Sequence, residues 1–203
     1  MTSENPNKLS KLVLPAIVAI FTAPMLISWW LLTQTGFSRD ASEVSHGQLF
    51  VPARPLPDTM LSDILDLERE TKLKGKWSLV VRHGTECNEA CFDSLYKIRQ
   101  IRLATGKYSK RIQRVLLAEG AFNTKLESKL LEQFNGQLYL DYSKLPAAFI
   151  GNFKTEQNSP LSGEGEFYLI DPLGNLMMHY PPDTEPAGII KDLKRLLRYS
   201  RIG

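Results

Sequence analysis

Apolar residues along the chain fall into three patterns: one unbroken run, several helical stripes and several short extended blocks. The unbroken run is 12-LVLPAIVAIFTAPMLISWWLLT-33, which contains no charged residue. As a helix it spans about 33 Å, against about 30 Å for the hydrocarbon of a bilayer. Pro15 and Pro24 are tolerated better in membrane helices than in soluble ones. Trp29 and Trp30 sit near one end, where indoles favour the lipid–water boundary. The run is longer than the apolar part of a signal peptide, and no small-x-small cleavage site follows it. The pattern therefore predicts one uncleaved transmembrane helix over 12–33, after a short N-terminus of residues 1–11.

Residues 34–60 read as a tether and lead-in, with Pro52, Pro55 and Pro57 favouring an extended chain. Within it, 48-QLFVPAR-54 is apolar enough for an edge strand. A domain is expected over 61–203. Leu61, Ile64, Leu65 and Leu67 are spaced as on a helix covering 59–70. Next come a strand at 77-WSLVVR-82, a helix from about Glu89 to Ala104, and a buried strand at 111-RIQRVLLAE-119. The segment 124-TKLESKLLEQF-134 reads as a helix with Gly136 just past its end. Two apolar runs joined at 171-DPLGN-175 predict a hairpin over 166–180. An amphipathic helix over 185–199 closes the chain. Strand, helix, strand, helix, hairpin, helix is the order of a thioredoxin-like α/β domain, a mixed sheet flanked by helices.

Composition changes this picture little. The chain has 203 residues, 43% of them hydrophobic and 23% charged, with a formal net charge of +3. That suits one ordinary domain and an appendage. Basic residues form no stripe with interleaved aromatics, so nucleic acid is not an expected partner. Charge does set orientation: Lys8 and Lys11 precede the apolar run, and its near C-terminal flank is uncharged before Arg39. The positive-inside rule leaves the N-terminus in the cytoplasm. The remaining residues would stand in the periplasm, on a bacterial inner membrane or its mitochondrial equivalent. Disulfides persist in such a compartment.

The only cysteines, Cys87 and Cys91, lie in 82-RHGTECNEACFDSLYKIR-99, between the first long strand and its helix. A helix N-terminus favours a thiolate. Residues four apart on a helix share a face, so both sulfurs could converge on one soft ion such as Cu(I). The same pair could close as a disulfide if regular helix geometry relaxes. His83 is a candidate third metal ligand if the loop folds back. His179 reads as a surface residue beyond the hairpin turn, and His46 as solvent-facing. Glu86 and Glu89 flank the thiols and would oppose thiolate formation. No phosphate-binding, serine-hydrolase or zincin motif is present.

Two stretches, 85-TECNEAC-91 and 168-YLIDPLGNL-176, resemble the Sco family of cytochrome oxidase assembly proteins, which are membrane-anchored, thioredoxin-like copper chaperones. The likeness covers roughly Trp77 to Tyr199. It implies that Cys87 and Cys91 handle Cu(I), and that a cytochrome oxidase subunit or another assembly factor is the partner. The sequence also departs from the family. Asn88 and Phe92 stand where prolines usually follow the cysteines, and Gly163 stands in the register of the family's copper histidine. Three functions stay open: copper handling or thiol reduction of a client, general thiol–disulfide exchange, and a binding module with a structural disulfide. Against general exchange stand the C-x3-C spacing and the lack of a proline just before 167-FYLID-171.

Overall fold

The computed structural model describes residues 6–34, 45–66, 68, 70–84, 86–155 and 163–202. The remainder of the tether, Leu67 of the expected helix, Thr85 of the cysteine loop, and Leu161 and Ser162 lie outside the described residues. The chain divides into two compact units, Met1–Val44 and Ser45–Gly203. In the first, Pro6–Gln34 forms one helix, α1, that runs through both prolines. Phe21, Met25 and Trp29 on it are exposed. Among the described residues no helix is long and apolar enough to cross a membrane. The helix expected over 12–33 is therefore present, while its passage through a bilayer is not shown.

The second unit is built around β4 (Trp77–Arg82), whose first five residues are buried. Burial on both faces explains its continuous apolar sequence. β4 pairs in parallel with β5 (Ile112–Ala118) and antiparallel with β7 (Phe167–Ile170). β5 in turn pairs in parallel with β6 (Gln137–Asp141), and β7 antiparallel with β8 (Asn175–Tyr180). The lead-in strand β1 (Gln48–Pro55) adds to the β8 edge. The sheet order is β1-β8-β7-β4-β5-β6, mixed as the pattern predicted.

α2 (Glu89–Ala104) and α5 (Pro186–Tyr199) pack together on the sheet. Leu95, Ile98 and Ile101 from α2 meet Ile189, Leu193 and Leu197 from α5 in one apolar core. α3 (Thr124–Gln133) contributes Leu130 to the same core. The opposite face is covered by α4 (Ala147–Gly151) and the segment around Leu56, Leu61 and Leu73. Phe153 packs against Phe149 at a tilt and meets Tyr168 edge to face in this layer. Gly174, with φ of 89°, closes the hairpin turn in a conformation that L side chains avoid.

The helix expected over 59–70 does not form. Leu61–Ser62 is a short strand, β2, paired with β3 (Glu70–Thr71), and Asp63 bridges to Leu140 of β6. Leu61 and Asp63 are both buried there, so sheet contacts outweigh the local helical spacing. The first described residues of the second unit are fastened to α5. The backbone N–H groups of His46 and Gly47 donate to Asp192 Oδ2 at 2.9 and 3.2 Å. The Tyr180 hydroxyl donates to the same oxygen at 3.3 Å.

Candidate functional site: a disulfide across a helix start

At the carboxyl end of β4 the chain leaves the sheet through His83 and Gly84 and enters α2 through the cysteine loop. Asn88 is the helix N-cap, and its side-chain oxygen accepts from the Cys91 backbone N–H at 3.2 Å. Cys87 therefore precedes the cap, while Cys91 lies in the first turn. The pair does not sit on one face of a regular helix as the spacing suggested. The two sulfurs are bonded to each other, with Cα atoms 5.0 Å apart. Closing the bond across the helix start leaves the helix intact beyond it, so no relaxation is needed. The residue after the first cysteine thus has a job of its own: Asn88 supplies a cap oxygen that proline lacks.

The two cysteines differ in access. Cys91 is 0% exposed and belongs to the main core, while Cys87 is 9% exposed at its rim. An attacking sulfur reaches Cys87 first. The bond then breaks with its electron pair on Cys91, in the first turn of a helix whose N-terminal dipole favours the anion.

His83 is 2% exposed, and its Nε2 is buried without a hydrogen-bond partner. Burial holds its imidazole below the ordinary value of 6.5, opposed by the Glu164 charge. Its backbone N–H donates to Leu117 O at 2.9 Å, so the backbone continues along β5 for one residue beyond β4. A side chain on Gly165 would begin 3.8 Å from Ser94 Oγ and 4.0 Å from His83 Cε1. Gly165, at φ 76°, lets the 163–166 segment lie against both. Among the described residues, no three His, Cys, Asp or Glu side chains gather where one ion could touch them all. His83 is thus not assembled with the cysteine pair into a three-ligand group.

The segment 163–166, which carries Gly163 in the register of the copper histidine, is acidic instead. Gly165 N–H donates to Arg82 O at 2.8 Å, and Arg82 N–H to Glu166 O at 3.3 Å, extending the β4–β7 ladder. Glu164 accepts from Gly84 N–H at 3.0 Å. Glu166 is 3% exposed, accepts from the Tyr168 hydroxyl, and lies 3.7 Å from His179 Nε2. Burial and then Glu166 push the Tyr168 hydroxyl above its ordinary range. His179 is buried rather than surface-facing, and burial lowers its pKa while Glu166 opposes the shift. The sequence reading missed this Glu166–Tyr168–His179 group. Strand alternation could have found it, because Tyr168 and His179 are direct partners on β7 and β8. His46 is exposed, as expected, and its Nδ1 also lies 3.3 Å from the buried Asp192 Oδ1.

Residues 77–200 match the family described as transmembrane-like, thioredoxin-like, C-terminal domain. The chain belongs to this family. No curated protein sequence matches the chain. Among solved structures, the fold is similar to Bradyrhizobium japonicum ScoI with copper bound, at 20% identity and a TM-score of 0.51, covering 70% of this chain and 98% of that one. Yeast Sco1 with copper bound is similar at 17% identity and a TM-score of 0.55, covering 72% and 94%. A thiol:disulfide interchange protein from Bacteroides sp. is similar at 14% identity and 0.51, covering 73% and 91%. The Sco resemblance read from the sequence thus holds as a shared thioredoxin-like fold.

Proposed function

We propose that this chain is a membrane-anchored, Sco-like thiol–disulfide exchange protein of cytochrome oxidase assembly. In this reading it keeps the copper-ligating thiols of an oxidase subunit, or of another assembly factor, reduced. α1 anchors it in the bacterial inner membrane, with the domain in the periplasm. The uncharged run 12–33 and the family's transmembrane-like description support the anchor.

One observation carries the redox reading: a closed disulfide with one cysteine at the rim and the other wholly buried at a helix start. In the reduced chain, Cys87 thiolate attacks a client disulfide and forms a mixed disulfide. One client sulfur leaves as a thiolate. Cys91 then attacks Cys87 Sγ, the second client thiolate departs, and the Cys87–Cys91 bond closes. Two electrons pass to the client, and a protein dithiol upstream restores the pair. The same pair would serve general exchange with other clients.

The orphaned His83 nitrogen favours a second reading, in which reduced Cys87 and Cys91 carry Cu(I) as cargo and His83 would become a third donor only if opening the disulfide let the cysteine loop move toward it. Buried neutral imidazole and soft thiolates suit that ion. One experiment separates the readings. The full chain in detergent is reduced anaerobically and titrated with Cu(I) against a competing chelator, with Cys87→Ser beside it. Separately, the reduced chain is mixed with an oxidised dithiol peptide. Peptide reduction without copper retention supports the exchange reading. Stoichiometric, cysteine-dependent copper supports the cargo reading, and neither result leaves only a structural disulfide.

A further inference from the structure

Charge on this chain is segregated. The stretches 97–114 and 191–202 hold twelve of the 25 basic residues and one of the 22 acidic ones. The single acid among them, Asp192, is buried and occupied by the latch to His46 and Gly47. The fold gathers the ends of both stretches at one place. α2 runs away from the cysteine loop, and its last turn leads into a 3-10 turn at Gly106–Arg111. Arg111 donates to the carbonyl oxygens of Leu197, Ser200 and Ile202, fixing that turn to the end of α5. Lys107, Lys110, Lys194, Arg198 and Arg201 are all exposed there. Among the described residues none of these five forms an ion pair.

We propose that this basic end of the domain rests on anionic phospholipid. Three apolar side chains stand among the charges: Leu103 at 51% exposure, Tyr199 at 76% and Ile202 at 50%. Basic residues beside exposed aromatic and aliphatic tips suit the headgroup boundary, where the charges meet phosphate and the tips enter the interface. Each basic residue brought to an anionic surface strengthens association about fivefold at low salt. A lipid partner rather than an acidic protein follows in part from reading 12–33 as an anchor, which holds the domain within reach of a bilayer.

The test uses the full chain reconstituted into vesicles of phosphatidylcholine, with or without phosphatidylglycerol. Amine acetylation is followed residue by residue. Lys107, Lys110 and Lys194 are expected to react several-fold more slowly with phosphatidylglycerol present. High salt should abolish that difference, and Lys125 and Lys144, on the opposite end of the sheet, should react equally in both. A variant with Lys107→Ser, Lys110→Ser, Arg198→Ser and Arg201→Ser should free Lys194, with unchanged disulfide reduction by dithiothreitol showing that the fold is kept. Equal acetylation in both lipids overturns the proposal. So does protection that appears only on adding an acidic polypeptide such as polyglutamate. Flotation after carbonate extraction reports the anchor separately: a chain that fails to float yet shows lipid-dependent protection defeats the anchor reading and leaves the basic face standing.

Discussion

Cys87 and Cys91 are bonded across the first turn of α2, with the first at the rim of the core and the second fully inside it. This asymmetry assigns roles. In the reduced chain, Cys87 should alkylate with iodoacetamide much faster than Cys91, as mass spectrometry of the labelled peptides will read. Cys91→Ser should accumulate mixed disulfides at Cys87, because nothing remains to resolve them. Cys87→Ser should accumulate none. Equal alkylation of the two thiols would remove the basis for the assignment.

Asn88 links the fold to the chemistry, since its side chain caps α2 through the Cys91 N–H. Asn123 caps α3 in the same way, through Leu126 N–H at 2.9 Å. Asn88→Ala and Asn123→Ala should each cost about 1 kcal/mol of stability in urea denaturation. Only Asn88→Ala should also change the rate at which dithiothreitol opens the Cys87–Cys91 bond. That contrast separates a local effect on the sulfurs from general loosening.

Opening the bond carries its own stability change. A loop this short loses about 2 kcal/mol of chain-entropy advantage when its crosslink is removed. Urea midpoints of the oxidised and reduced chains should differ accordingly, with the oxidised form the more stable. A reduced form as stable as the oxidised one would show that the native pocket favours free thiols enough to cancel this effect.

Acid should weaken the domain through its buried histidines. Burial lowers the pKa of both His83 and His179 from 6.5, so each is neutral in the fold and takes up protons more readily when unfolded. Their contribution is present above 6.5 and is lost as pH falls below it toward the lowered native values. Denaturation midpoints should decline through that window. His83→Asn should flatten part of the decline, and a slope unchanged by that variant would assign the effect elsewhere.

Placing a histidine at the Sco-like register of Gly163 should fail. A Cβ on Gly163 would collide with the Glu166 carboxylate, which is itself held by Tyr168 and buried beside His179. Gly163→His should therefore destabilise the domain by about 1–3 kcal/mol. It should add no copper affinity in a chelator competition. The double variant Gly163→His with Glu166→Ala tests the cause, because removing the carboxylate should recover part of the lost stability.

Much of the fold is legible in the sequence because the informative segments are periodic. β4, β5 and the β7–β8 hairpin are short apolar blocks with turn residues around them, and α2, α3 and α5 carry helical stripes. β6 escaped because 137-QLYLD-141 begins and ends with polar residues, yet all five are buried. Its stability comes from pairing with β5, which no local pattern reveals. The segment 59–70 misled for the converse reason: its leucines repeat like a helix while the neighbouring sheet holds Leu61 and Asp63 extended. At the site, the two cysteines and the loop between strand and helix that carries them could be read directly. The position of the helix cap could not, and it decides whether Cys87 and Cys91 share a helical face or straddle its start. The buried state of His179 depends on strand register, which joins it to Tyr168 across the hairpin.

β4 also works as a measuring rod. Its amino end, Trp77, pairs with Ile112 beside the lysine- and arginine-rich turn, and its carboxyl end leads to the sulfurs. Six residues of strand separate the two, which is about 20 Å. A domain seated on that turn would carry its reactive pair about two nanometres clear of the headgroups. Clients would then be selected by elevation, and only cysteines that project to that height would be served.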